Sequence, residues 1–321
     1  MYTNIELNKS LYNITGKTFT QALEELDPDK NYENTPLKGL DAYERQLKRF
    51  NIHVSGVNSD LVEKFFVSTQ SAILFPEYIR RMTKKGIDEV CIVPRICAAV
   101  TQTDSNDYRG LVFTENTSEN YPGEAVQIPV TTVRLASTTT ALTKYARILD
   151  CSYESMRKQR LEAFGVALRE LGATIAREIN SAAVAKLKDG LEPHSYTSVS
   201  YLNLVAFWNT LVGHNMDIIL ASPKTIGSIL GLTEIKGSTS TYSGDGCVTL
   251  PFGATLMKCD SLSDTEMIGL DSSCAAELIL GSDIVIDSDK IIGTQCDQIS
   301  CLVYADVSKL NSSALSLFKK I

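Results

Sequence analysis

Residues 152–190 read SYESMRKQRLEAFGVALRELGATIAREINSAAVAKLKDG. Leu161, Phe164, Leu168, Leu171, Ile175, Ile179, Ala183 and Leu187 recur at spacings of three and four. At 3.6 residues per turn they form one apolar stripe. Ser152 is suited to cap the start, and Asp189-Gly190 with Pro193 stops the helix. The spacing predicts a single helix over 152–188, about 50 Å long at 1.5 Å per residue. A compact sphere of this chain length has a diameter of about 50 Å as well, so such a helix suits an elongated plate. Gly165, Gly172 and Ala176 make a seam of small residues beside the stripe. Glycine inside a helix costs about 1 kcal/mol against alanine, so close packing of another backbone is expected there.

Upstream, residues 89–150 are β in character. Val90-Cys91-Ile92-Val93 is one expected strand and Lys144 to Leu149 another. The polar, turn-rich excursion between them holds two alternating stretches, Gly110 to Thr114 and Ala125 to Val130, flanking Asn116 to Gly123. They predict a long hairpin, and a two-stranded ribbon is marginal alone in water. Before it, Pro76 opens a helix from Glu77 to Lys85 that is expected to end at Gly86. Arg80, Arg81, Lys84 and Lys85 form a basic cluster at its C-terminal end. Such a cluster is either solvated charge complementing the helix dipole or a contact for an acidic surface on a partner. Residues 1–60 carry turn formers (Asp27-Pro28-Asp29 and Asn34-Thr35-Pro36) and few apolar positions. Short helices from Phe19 to Leu26 and from Asp41 to Phe50 fit there, within an arm ordered by a neighbour.

Downstream the pattern is α/β. A helix from Ser198 to Val212 precedes a buried strand, Asp217 to Ala221, and Ser222-Pro223 opens a helix from Lys224 to Leu230. Ser243-Gly244-Asp245-Gly246 signals a hairpin turn. Further strands are expected at Thr255–Met257, Glu266–Leu270, Ala275–Leu280, Ile284–Ile286 and Ile299–Tyr304, with an amphipathic stretch from Ala314 to Lys320.

Composition bounds the function. The 321 residues are 44% hydrophobic and 21% charged, as in a globular chain. Thirty-one Lys+Arg against 38 Asp+Glu give a formal charge of −7, which opposes tight binding along a phosphate backbone. No apolar run reaches the roughly 18 residues of a membrane span, and the start lacks a signal-peptide pattern. Cys91, Cys97, Cys151, Cys247, Cys259, Cys274, Cys296 and Cys301 show no Cys-x-x-Cys pair. They read as reduced, small core residues. His53, His194 and His214 have no second histidine at helical spacing. Gly244-Asp245-Gly246 lacks the Lys-Ser/Thr of a phosphate loop, and Asp104-Ser105-Asn106-Asp107 lacks the rest of a calcium loop. Asp283, Asp287 and Asp289 alternate with isoleucine like the wet face of a strand, and Trp208 reads as core. No catalytic, cofactor-binding or metal-binding residue is identified.

The order of parts is more specific than any motif. Phe75-Pro76-Glu77, the long excursion, Ser152-Tyr153-Glu154-Ser155-Met156-Arg157, Ala176-Arg177-Glu178 within the long helix, Ala221-Ser222-Pro223-Lys224-Thr225-Ile226 and Gly269-Leu270-Asp271 occur in sequence. Over roughly residues 60–310 this resembles a tailed-bacteriophage major capsid protein of the Hong Kong 97-like fold. The resemblance implies an α+β chain with a 1–60 N-terminal arm, a long β-hairpin extended loop over 100–140, and an axial domain over 195–285. The peripheral domain would comprise 61–99, 141–194 and 286–321, with its spine helix at 152–188 and strands at 90–97, 143–151 and 297–306.

That family's function is to self-assemble, as hexamers and pentamers, into an icosahedral head around double-stranded DNA. The implied partners are copies of the chain, portal and scaffolding proteins, and DNA held without sequence specificity; no membrane and no cofactor are implied. Charged residues of the basic helix and the loop (Arg80, Arg81, Lys84, Lys85, Arg109, Glu115, Glu119, Glu124 and Arg134) are the candidate assembly contacts. No lysine occurs from Cys91 to Thr143, so the loop-lysine cross-link of some members is not expected. The short, turn-rich N-terminal region is unlike a cleaved scaffolding segment, which leaves a separate scaffolding protein as the expectation. Two alternatives stay open: an encapsulin-type nanocompartment shell, and a two-domain hydrolase or transferase with dispersed catalytic residues.

Overall fold

The computed structural model describes residues 5–14, 16–105, 107–114, 132–137, 139–236, 248–281 and 283–321. In chain order the elements begin with α1 (Phe19–Leu26), α2 (Ala42–Arg49), α3 (Thr69–Ala72), α4 (Phe75–Val90) and α5 (Val93–Ile96). Strands β1 (Ala99–Gln102), β2 (Asp107–Tyr108), β3 (Leu111–Thr114), β4 (Thr132–Leu135), β5 (Thr140–Ala141) and β6 (Thr143–Ser152) follow. Next come α6 (Tyr153–Lys158), α7 (Leu161–Lys188), β7 (Pro193–Tyr196), α8 (Tyr201–Trp208), β8 (Ile218–Ala221), α9 (Pro223–Leu230) and α10 (Thr233–Lys236). The last are β9 (Val248–Thr249), β10 (Thr255–Lys258), β11 (Glu266–Leu270), β12 (Ala276–Leu280), β13 (Val285–Ile291), β14 (Cys296–Lys309) and β15 (Leu315–Lys320). They form two compact units, one of residues 1–90, 146–176 and 283–303, the other of 91–145, 177–282 and 304–321.

In the first unit the N-terminal region is not an arm bare of apolar surface. Helices α1 and α2 each start in a capping box, Thr18 with Gln21 and Asp41 with Glu44, which satisfies otherwise orphaned N–H groups. Phe19, Leu23, Tyr32, Tyr43 and Leu47 are buried. Arg45 is buried too, with Nε on Asp27 (3.1 Å) and Nη2 on Glu24 (3.2 Å). The Tyr12 hydroxyl donates to Ile73 O (2.7 Å) and that of Tyr43 to Leu74 O (3.2 Å). Apolar spacing undercounts such a region because tyrosine and arginine bury their stems while their polar ends find partners.

Helix α4 passes through Gly86 to Val90, so the expected stop at Gly86 is absent, and in place of the expected strand at 90–93 stands the short link between α4 and α5. Gly86 is there for proximity rather than termination. A Cβ at Gly86 would lie 2.0 Å from the Arg169 carbonyl oxygen, and one at Gly172 would lie 2.1 Å from that of Thr83. Backbones of α4 and α7 therefore touch at both positions, as the small-residue seam on α7 requires. The expected single helix over 152–188 is instead two. Ser152 caps α6, Gln159 is extended, and α7 begins at Leu161. The backbone groups freed at this break are used: Gln159 O accepts from Val62 N–H (3.0 Å) and Leu161 N–H donates to Asp60 O (2.8 Å). At 1.5 Å per residue, α7 is about 42 Å long.

The second unit holds a six-stranded mixed sheet in the order β7-β15-β11-β8-β10-β9. Every residue of the central strand β8 is buried, and it runs parallel to β10 and antiparallel to β11. Phe318 of β15 stacks on Tyr196 (4.5 Å) and on Phe207 of α8 (4.6 Å), joining helix and sheet in one core. Ser222 accepts from Thr225 N–H as the cap of α9, with Pro223 in the first turn, as read from the sequence. Strand β12 pairs in parallel with β1 and antiparallel with Ala305–Lys309 of β14.

Two short ribbons complete this unit, β2 with β5 and β3 with β4. Leu111–Thr114 pairs with Thr132–Leu135, and the expected second arm, Ala125–Val130, lies outside the described residues. Both stretches alternate β-formers, and alternation alone does not choose between them. The turn at 243–246 also lies outside the described residues.

The contact between α4 and α7 yields a test in which the usual sign reverses. Gly→Ala in a helix ordinarily stabilises by about 1 kcal/mol. Gly172→Ala should instead destabilise by about 2–3 kcal/mol, because overpacked backbones must separate. Urea unfolding measures it; an unchanged or raised midpoint contradicts the contact.

Candidate functional site

Helix α4 organises the charge of the first unit. Pro76 sets its entry, and Glu77 sits in its first turn, where the helix dipole favours a carboxylate. Glu77 has no solvent exposure. It accepts from Arg80 Nε and Nη2 (both 2.7 Å), Arg81 Nε (2.9 Å) and the Thr20 hydroxyl (2.8 Å). Burial pushes its carboxyl up, but the Arg80, Arg81 and Thr20 hydrogen bonds outweigh burial and hold it below the usual carboxylate range. Each arginine reaches a second carboxylate, Arg80 on Asp283 and Arg81 on Asp41 (both 2.6 Å). Arg81 also lies over the Tyr43 ring, 4.4 Å from its centroid.

The predicted contact residues thus divide. Arg80 and Arg81 come together around carboxylates of their own chain, Glu77, Asp283 and Asp41. Because α4 continues to Val90, the basic cluster lies mid-helix and does not complement a C-terminal dipole. Lys84 and Lys85 are exposed on α4, and Arg109 and Arg134 are exposed in the second unit. Glu115, Glu119 and Glu124 lie outside the described residues.

Apolar residues missed as candidates share the ribbon with Arg134. Leu111 and Leu135 are cross-strand partners, and Val133, two residues from Leu135, lies on the same face. They are 40%, 62% and 53% exposed. The ribbon's alternation was the available signal. Behind it, β2 is tied to β12 by Glu277 Oε1, which accepts from the Tyr108 hydroxyl (2.8 Å) and from Thr101 Oγ1.

The first unit holds a cleft of about 900 Å³. Its walls include Leu61, Phe66, Val67, Phe75, Met156 and Ile299, with scattered charges of both signs. Asp60 beside it is pushed up by burial and pulled below its ordinary value more strongly by hydrogen bonds from His53, so it stays ionised and is no proton donor at neutral pH. Burial pushes the Cys97 thiol up to about 12 and also raises those of Cys151, Cys259 and Cys301. Protonated thiols are poor nucleophiles. Among the described residues no cysteine is in a disulfide; Cys259 and Cys301 are buried, and the others are half-buried. Trp208 packs on the sheet core, 5.8 Å from Phe252. One cluster had no local signature in the sequence: His214, Asp271 and Cys274 bring their ligand atoms within 4.8 Å of one another.

Residues 135–273 match a protein-family model described as phage capsid protein. No curated protein matches the chain. Among solved structures, the virus-like particle from Pyrococcus furiosus aligns with a TM-score of 0.55 at 9% identity, over 76% of this chain and 98% of that one. Gordonia phage Cozz aligns with a TM-score of 0.53 at 15% identity, over 72% and 86%. The holo-SrpI encapsulin complex from Synechococcus elongatus PCC 7942 aligns with a TM-score of 0.51 at 12% identity, over 71% and 86%. At these identities the shared property is the fold, and it is that of capsid shells.

The depressed carboxyl of Glu77 fixes the sign of a pH dependence. Its stabilisation is complete above the ordinary glutamate value of about 4.3 and is lost as pH falls through the lower folded value. Glu77→Gln should cost about 2–3 kcal/mol at pH 7, since it leaves two half-buried guanidiniums short of a counter-charge. That deficit should shrink as pH falls below about 4. Denaturant midpoints of both proteins at pH 7 and pH 3.5 check this; a deficit independent of pH contradicts it.

Proposed function

We propose that this capsid shell protein, a virion component with the Hong Kong 97-like fold, assembles as hexamers and pentamers of a closed icosahedral head around double-stranded DNA. One observation carries the reading: the β3–β4 ribbon leaves Leu111, Val133 and Leu135 exposed together, although a lone ribbon is marginal in water. A second copy of the chain is the natural cover in a symmetric shell, where each patch meets the corresponding patch of a neighbour. Specific interfaces generally bury about 1,200–2,000 Å², more than one ribbon offers, so further contacts are needed. Lys84, Lys85, Arg109 and Arg134, together with the loop residues Glu115, Glu119 and Glu124, are assigned to them as rim charges that set register.

In this reading residues 100–140 are the extended loop, 195–285 the axial domain, and 61–99, 141–194 and 286–321 the peripheral domain. Within the first 60 residues, the start of α1 and the cap of α2 are tied to α4 through Thr20 and Asp41. The formal charge of −7 suits a wall that must let packed DNA slide and not hold it. The role requires no catalysis. Portal and scaffolding proteins are the expected assembly partners, and the host cytoplasm is the expected place of assembly. An encapsulin-type compartment uses the same fold; the phage capsid family match over 135–273 favours the head.

Purified chain should sediment as capsomers or shells, and particles from infected or expressing cells should carry nucleic acid. A sharply monomeric species, or particles filled with protein alone, would overturn the reading. Val133→Glu with Leu135→Glu should abolish shells while changing the unfolding free energy by less than about 0.5 kcal/mol, as exposed substitutions do. Normal shells from that variant contradict the ribbon's role.

A further inference from the structure

Three loops of the second unit converge around His214. One is the segment 209–217 leading into β8, the second is the turn 271–275 between β11 and β12, and the third is the turn 310–314 before β15. Their backbones interlock: Leu310 N–H donates to Ala275 O (3.0 Å) and Asp271 N–H to Ala314 O (3.0 Å). Asn215 N–H donates to Asp271 Oδ2 (2.9 Å), and Ser272 N–H to Asp217 Oδ1 (2.8 Å). In the middle, His214 Nδ1 lies 3.6 Å from Cys274 Sγ and 3.9 Å from Asp271 Oδ2.

The 3.6 Å Nδ1–Sγ separation suits either a thiol hydrogen bond or two ligands of one metal, and the 3.9 Å Nδ1–Oδ2 gap is too long for a hydrogen bond. A hydrogen bond of nitrogen to a carboxylate oxygen is made near 2.9 Å. Tetrahedral zinc, with bonds of about 2.0 Å to nitrogen and oxygen and about 2.3 Å to sulfur, sets its ligand atoms roughly 3.3–3.6 Å apart. We propose that His214, Asp271 and Cys274 form a three-ligand site for a zinc-class divalent transition metal, which staples the three loops and leaves a fourth position to water. Imidazole, carboxylate and thiolate together select that class over calcium or magnesium, which take oxygen ligands.

Surrounding groups already hold the ligands. Asp271 Oδ1 accepts from the Ser273 N–H (3.0 Å) and the Ser273 hydroxyl (2.5 Å), which fixes its carboxylate plane. The His214 and Asp271 side chains are 19% and 11% exposed, so water can reach the fourth position. On binding, the Cys274 S–H bond breaks, its proton leaves to solvent, and the thiolate pair forms the bond to the metal. His214 binds through the Nδ1 lone pair and carries its proton on Nε2. Asn311 Nδ2 lies 3.4 Å from Nε2 while its Oδ1 accepts from Ser313 N–H (2.9 Å). A half-turn of that amide presents Oδ1 to the Nε2 proton and leaves the N–H of the exposed Ser313 to water.

Full-length protein, chelator-treated and kept in a non-thiol reductant, is titrated with cobalt(II) chloride. The expected result is a near-ultraviolet thiolate-to-cobalt charge-transfer band that saturates at one ion per chain and is displaced by zinc. Cys274→Ser should abolish the band, and His214→Gln should weaken binding by at least about tenfold. In the unmutated chain, zinc should slow iodoacetamide alkylation of Cys274 by at least about tenfold and leave Cys151 unaffected. A missing band, a band that survives in Cys274→Ser, or alkylation of Cys274 indifferent to zinc overturns the site and leaves a hydrogen-bonded loop cluster.

Discussion

Two helices can bring their backbones into contact only where side chains are absent, and the first unit is arranged around one such place. Gly86 on α4 faces the Arg169 carbonyl and Gly172 on α7 faces that of Thr83. The crossing is locked at its edge by the Tyr78 hydroxyl, which donates to Leu161 O at the start of α7. With α4 fixed, Glu77 is fixed, and with it the two arginines that reach Asp41 at the α2 cap and Asp283 before β13. The N-terminal helices are therefore held by a buried carboxylate as much as by apolar contact. Such a network is specific because Glu77 at its centre, left alone, would be an unpaired buried charge.

The second unit is built differently. Its six-stranded sheet closes over an aromatic stack and buries a whole strand, so it has a core of its own. The ribbons beside it do not. A molecule with self-sufficient cores and an uncovered apolar ribbon face is suited to repeat that face against copies of itself. In the proposed shell, the cores fold within one chain and the ribbon is covered by other copies.

Much of this was legible in the residues. The stripe on α7 is buried at Leu161, Phe164, Leu168, Ile175, Ile179, Ala183 and Leu187, because 3.6-residue periodicity depends on local geometry alone. Ser222-Pro223 and the buried strand before it were readable for the same reason. What failed required knowledge of a distant partner. Gly86 has the composition of a helix stop, and only the carbonyl of Arg169 explains why a glycine stands inside the helix. The break at Gln159-Arg160 carries no glycine or proline; it exists because residues 60–62 take up the freed backbone groups. Residues 1–60 looked bare because their burial falls on Tyr32, Tyr43 and Arg45 as much as on leucine. His214 and Cys274 stand sixty positions apart, so no local spacing could pair them.

The central claim is that the ribbon finds its cover on other copies of the chain. Hydrogen–deuterium exchange on assembled particles and on dispersed subunits tests it most directly. Amides of Leu111–Thr114 and Thr132–Leu135 should exchange quickly in dispersed subunits and slowly in particles, with those of α7 slow in both. Equal exchange of the ribbon in the two states would contradict the account.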